Sequence, residues 1–293
     1  MGFFNRQEAK WKAREAIRGA YPHPMLVSLV YLLLTAGLTT LITRFVADPF
    51  TLAYQYLIVG NYEWDTIVRH VFTPARTGLF AAVQIVLSLY GCIMGFGYKS
   101  YGLRLARGEQ PGYRNLMDGF SSVGRVLAAG VLTYVLIWLW TMLGMIPYMV
   151  ALILAVVMES EGLLALAMLL LVFAVVCAVV AGLRYQLAYY FLLDNPEMGA
   201  MEAIRHSKQA MKGWKGALFM LDLSFLGWML LAPFTLGILS LWLSPYMSAA
   251  EANFYDHVVH GSFGPRTDAP NPGQPGGYQG NYGSGPQNPG GSF

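Results

Sequence analysis

The sequence predicts an all-α polytopic membrane protein, and three observations carry that prediction. Hydrophobic residues fill 56% of 293 positions, while Asp, Glu, Lys and Arg fill only 12%, about half the charged share of a soluble domain. Mean hydropathy is +0.46, and uncharged stretches of 18 to 33 residues recur along the chain, lengths suited to hydrocarbon rather than to a soluble core. Basic residues, finally, gather on alternate loops.

The first 24 residues, with five basic and two acidic side chains, read as a cytoplasmic amphipathic segment. Their charge, and the lack of a small-residue cleavage site after the first apolar run, argue against a cleaved signal peptide. Residues 25–43 then form a first span of about 19 residues, enough to cross roughly 30 Å of hydrocarbon. The Tyr- and Phe-rich loop from Arg44 to Arg76 is expected to hold an interfacial helix or to cap the outer face. A second span covers 77–98, where Gly91, Gly95 and Gly97 have the spacing that admits a close helix neighbour.

The third uncharged run, Val126 to Met158, is too long for one upright crossing, so Pro147 is expected to kink or end a span over 126–146. Glu159 and Glu161 mark an outer turn. A fourth span covers 162–183, and Asp194-Asn195-Pro196 should stop the helix that follows it. Between Asp222 and Glu251 no charge occurs, and Pro233 divides this stretch into 216–232 and 235–255. Six spans result, with five as the alternative.

Loop charge orients the chain. The segment from Lys99 to Arg125 holds five basic and two acidic residues and that from Arg184 to Asp222 five and four, against three of each from Arg44 to Arg76. The positive-inside rule therefore places the N-terminus and these two basic loops in the cytoplasm; six spans put the C-terminus there too. The tail over 261–293, with ten Gly and six Pro, cannot bury a core and is expected to be disordered.

Three segments resemble one another: Arg14-Glu15-Ala16-Ile17-Arg18-Gly19, Arg114-Asn115-Leu116-Met117-Asp118-Gly119 and Lys208-Gln209-Ala210-Met211-Lys212-Gly213. Each precedes a span. Arg14, Arg18, Arg114, Lys208 and Lys212 are the basic positions expected to meet anionic headgroups, with the apolar positions in the acyl boundary and glycine ending each helix in the αL conformation. The chain then reads as three parallel units of interfacial helix plus membrane hairpin.

Chemistry-bearing motifs are few. There is no HExxH, Walker loop or nucleophile elbow, and His257 and His260 are expected to lack a third ligand, so no metal, cofactor or catalytic residue is expected. A net charge of +3 is too mild for nucleic-acid binding. Cys92 and Cys177 lie in apolar runs and exclude a secreted disulfide scaffold. The polar residue that stands out is Asp222, within the fifth span, where an unpaired carboxylate costs a few kcal/mol. Arg184 is its expected partner by depth.

From Arg184 onward the chain resembles a bacterial membrane family, domain of unknown function 975. The resemblance rests on Leu192-Leu193-Asp194-Asn195-Pro196, Glu202 to Lys208, Met211-Lys212-Gly213, Phe219 to Trp228, Thr235 to Ile238, Leu241 to Tyr246 and Phe254-Tyr255, with a weaker element over Ala13 to Gly19. It implies a multi-pass bacterial plasma-membrane protein with no assigned activity. Two functions follow as expectations: a non-enzymatic protein that organises or senses the bilayer through anionic headgroups, or a flippase-like carrier of a lipid or other hydrophobic compound.

Overall fold

The structure is a computed structural model and describes residues 4–46, 48–59 and 64–261; the expected disorder of the tail lies outside these, Gly261 apart. Every regular element among the described residues is helical. Helix α1 (Arg6–Arg18) is capped by the Asn5 side chain, which accepts from the backbone of Gln7 and Glu8, as expected of Asn at an N-cap. The first span, Pro24–Phe45, comprises α2 (Pro24–Leu32), a π-helical turn at Leu33–Gly37 and α3 (Leu38–Phe45). The π turn frees backbone carbonyls, and the Tyr90 hydroxyl donates to that of Leu34 at 3.0 Å.

Two short helices, α4 (Pro49–Val59) and α5 (Trp64–Val71), fill the loop expected to be interfacial and share a small core of Ala53, Ile67 and Val71. Then come α6 (Pro74–Ala106), a 3-10 helix (Tyr113–Ser122), α7 (Val123–Val157), α8 (Glu161–Tyr185), α9 (Ala188–Asp194) and α10 (Ala200–Ala210). The last described elements are α11 (Lys215–Leu231), a 3-10 turn at Pro233–Thr235 and α12 (Ile238–His260). The break expected at Pro233 is there, turned by left-handed Leu236 and Gly237.

Pro147 does not end its helix: α7 runs through it for 35 residues, about 52 Å at 1.5 Å per residue. Packing explains the continuity, because α7 is braced along its length by α8. Ala167, Ala174 and Ala181 of α8, seven residues apart, are buried, as are Gly144, Ala151 and Ala155 of α7. Gly144 faces the Ala174 backbone, and such small residues let two helix backbones approach closely.

Four helices are long and apolar enough to cross a membrane, or five if the α10–α11 pair, bent by 90°, is one span. The count of six is thus not reached by length and composition. The reason is local: α11 has 17 residues, about 26 Å, and α12 carries Glu251, Asp256, His257 and His260. In the most apolar window of each of the four, no more than 22% of residues are buried within the protein. Apolar surface this extensive needs hydrocarbon around it.

The core is concentrated at one end, where the last turns of α6 meet α1, α9 and the second half of α12, and α10 packs on α9. Phe254, Tyr255, Ala249, Ala250 and Ala252 of α12 are fully buried there, with Tyr101, Leu116, Tyr190 and Met211. The glycine spacing of α6 is only partly used. A Cβ on Gly97 would strike the Leu116 carbonyl, whereas Gly91 and Gly95 have nothing within 4 Å. On the opposing 3-10 helix, Gly119 is pressed against the carbonyl of Ile93. The neighbour that α6 admits is therefore this short helix.

The three similar segments also depart from expectation. Ile17, Leu116 and Met211 point into the common protein core, so these apolar positions face protein instead of acyl chains. Of their glycines only Gly213 is left-handed, with φ 83°; Gly19 is right-handed at φ −95°, and Gly119 serves packing. The basic positions Arg14, Arg18, Arg114, Lys208 and Lys212 are exposed.

Candidate functional site

Two polar features lie at the core end of the bundle. The first is a charged interior built on α6, α9 and α12. Arg107, just past the end of α6, directs its guanidinium at two carboxylates: Nη1 and Nη2 donate to Asp194 at 2.6 and 2.9 Å, and Nη2 and Nε to Asp256 at 2.7 and 3.2 Å. The planar fork of arginine suits such paired recognition. The Tyr255 hydroxyl donates to Asp194 at 2.9 Å, and its ring stacks on Tyr190 at 5.1 Å. Burial works against the Arg107 charge, but the hydrogen bonds and attraction of both aspartates outweigh it and hold its pKa above the ordinary arginine value.

Asp194 stands in the Leu-Leu-Asp-Asn-Pro motif and Tyr255 in the Phe-Tyr motif, 61 residues apart, so the fold joins two pieces that looked separate in sequence. Asn195 donates to the Phe191 carbonyl at 3.1 Å, and Arg125 donates to the carbonyl of Pro196, securing the end of α9. One expectation is corrected here. His260 does have further ligand-type neighbours, because its ring nitrogens lie 3.3 Å from Asp256 and 3.8 Å from Asp194. The three offer ligand atoms within 4.8 Å of one another, but Arg107 already supplies a positive charge to both carboxylates.

Deeper along α6, Lys99 pairs with Glu251 at 2.8 Å and lies 4.8 Å from the Tyr190 ring. Asp222 belongs to this second layer: its side chain meets Gln186 and lies within the electrostatic reach of Glu251 and Lys99. Asp222 and Arg184 form no ion pair among the described residues. Arg184 instead places its guanidinium 5.8 Å from the Trp140 ring and 5.9 Å from that of Tyr185. Helix phase separates the two, since Gln186, two residues past Arg184, occupies the position facing α11. Arg184→Met is accordingly expected to cost about 1 kcal/mol, the scale of a cation–π contact, read as a small drop in detergent unfolding midpoint. A loss of several kcal/mol would show that Arg184 carries a buried charge partner after all.

The second feature is a cleft of about 400 Å³ between α1 and the α11–α12 hairpin. Gln7, Lys10 and Arg14 give it a polar rim, and Trp11, Trp228, Trp242 and Tyr246 give it aromatic walls. Its shape follows from how α1 docks. Ala9, Ala13 and Ile17, at helical spacing, are buried, and α1 runs antiparallel along α12: Phe4 meets Phe254 at 4.9 Å, and the Ala9 carbonyl accepts from Asn253 at 3.2 Å. Lys10 donates to the Ser224 carbonyl at 3.3 Å and lies 4.3 Å from the Phe225 ring centroid. Burial, then the charges of Arg6 and Arg14, push the Lys10 ammonium below the usual lysine value. Asp222 is not among the residues lining this cleft.

No curated protein and no solved structure matches the chain. The family described as protein of unknown function (DUF975) matches residues 1–261, well beyond the C-terminal stretch that carries most of the sequence resemblance. The chain, an all-helical protein with apolar helices of membrane-spanning length, belongs to that family.

Proposed function

We propose that this protein is a non-enzymatic, multi-pass component of a bacterial plasma membrane that organises or senses the bilayer, with both termini cytoplasmic. The observation that carries this reading is that the paired interior charges tie helices to one another, while Asp222 meets the uncharged Gln186. Lys99 pairs with Glu251, and Arg107 with Asp194 and Asp256, so they fasten α6 to α9 and α12. An ion-coupled carrier needs a charge that changes partner or hydration during its cycle. The exposed basic positions supply the complementary feature, a surface suited to anionic headgroups.

For α11 and α12, two arrangements keep both termini on one side: a full hairpin, giving six crossings, and a re-entrant hairpin, giving four. The docking of α1 favours the second. Any depth reached by α12 between Trp242 and Phe254 is shared by α1, whose exposed Arg6, Arg14, Glu15 and Arg18 belong at the headgroups.

Single cysteines placed in a chain lacking Cys92 and Cys177 test the reading in intact cells with a membrane-impermeant maleimide. Position 5 is expected to label only from the cytoplasmic side, position 234 at the hairpin tip to resist labelling from outside, and positions 223 and 224 beside Asp222 to stay protected throughout. Labelling at 234 from outside would restore six crossings. Cytoplasmic labelling at 223 and 224 would show a wet cavity at Asp222 and favour the carrier of a lipid or hydrophobic compound. External labelling at position 5 would overturn the orientation.

A further inference from the structure

We propose that the cleft between α1 and the α11–α12 hairpin binds one anionic phospholipid, with Lys10 and Arg14 on its phosphate and an acyl chain along Trp228, Leu239 and Trp242. This gives the bilayer-organising reading a specific site and rests on it.

Charge is the first argument. Lys10 and Arg14 are one helical turn apart and so share a face of α1, and both line the cleft. Neither forms an ion pair with a carboxylate among the described residues. Lys10 is held by a backbone carbonyl and an aromatic ring, and Arg14 lies 5.9 Å from the Tyr246 ring. Burial, then the charges of Arg6 and Arg14, lower the Lys10 pKa, and an anion between Lys10 and Arg14 offsets the repulsion between those two. Phosphate suits the pair, because lysine contributes a point charge and arginine a planar fork.

The walls decide the rest of the ligand. Trp11, Trp228 and Trp242 are 58%, 55% and 44% exposed, a high value for three tryptophans around one cleft, and Leu239 and Leu243 lie beside them. A free phosphate leaves this apolar wall uncovered, whereas a diacyl lipid covers it while its head stays at the rim. Tryptophan next to lysine and arginine is also the composition found at headgroup depth. The volume, about 400 Å³, falls in the range of small-molecule sites and admits part of one lipid while the remainder stays in the bilayer.

Native mass spectrometry of the full chain in detergent, titrated with dioctanoyl phosphatidylglycerol, tests the proposal. One molecule is expected to bind at least tenfold more tightly than dioctanoyl phosphatidylcholine. The double variant K10Q/R14Q should lose at least tenfold in affinity for phosphatidylglycerol, and W228A/W242A should lose it as well, with unfolding midpoints near that of the parent. Where a midpoint falls, K10R/R14K, which keeps both charges, is expected to retain binding. Equal binding by K10Q/R14Q and the parent overturns the site but leaves the platform reading standing. Absence of any preference for the anionic lipid sinks both. Competition by inorganic phosphate as effective as by the lipid, or closure of the cleft by a second copy of the chain, would also overturn the lipid assignment.

Discussion

Arg107→Ala is expected to destabilise the folded protein by about 3–5 kcal/mol, the range for removing one partner of a buried ion pair. The effect is large because Asp194 and Asp256, whose side chains are only 5% and 6% exposed, would be left facing each other with no guanidinium between them. At this size the unfolding midpoint in detergent should fall by about 10 °C. Arg107→Lys should recover a minor part, since an ammonium cannot place two parallel bonds on Asp194 as the fork does. The informative control is to neutralise the carboxylates in the same chain. Arg107→Ala with Asp194→Asn and Asp256→Asn should be more stable than Arg107→Ala alone, a non-additivity expected of residues in one network. A loss below 1 kcal/mol for Arg107→Ala would mean the cluster adds little to the fold.

The second large effect is at a glycine. Gly97→Ala is expected to cost about 3 kcal/mol, the upper part of the overpacking range, because the added Cβ collides with the Leu116 carbonyl, and backbone cannot swing aside as a side chain can. Gly91→Ala and Gly95→Ala, on the same helix with open space around them, should be neutral or gain up to about 1 kcal/mol from helix propensity. The sign difference within one turn and a half of α6 makes the comparison decisive. If all three substitutions behave alike, the 3-10 helix Tyr113–Ser122 is not seated on α6 as described. The contact has a second clamp, since Ser100 donates to Asp118 at 2.5 Å, so Gly97→Ala should also loosen the base of α7.

What the sequence made legible follows from physics that acts locally. Apolar runs declare their helices, so each of the first four expected spans falls within a helix long and apolar enough to cross a membrane, and the chain breaks at Pro233. Pro147 misleads because its effect is conditional: a lost hydrogen bond can end a helix in water, but α7 continues through it, packed against α8. Gly91, Gly95 and Gly97 are indistinguishable in sequence, and only the partner across the contact tells which one is needed. The charged site was legible in pieces. Asp194 and Tyr255 both stand in motifs that carry the family resemblance, yet Arg107 pairs with residues 87 and 149 positions away, a separation no periodicity announces. For Asp222, depth alone chose Arg184 as the expected partner, and the side chain that Asp222 meets is Gln186.

The docking of α1 on α12 bears on how the protein is made. The Asn253 side chain reaches the carbonyl of Ala9 across 244 positions of sequence, joining α1 to a helix synthesised long after it. While translation proceeds, α1 has no completed seat, and its buried stripe of Ala9, Ala13 and Ile17 must wait in the headgroup layer or on a chaperone. Chains halted before residue 249 should therefore insert their early spans yet leave α1 open to protease, and only the arrival of α12 brings it under cover.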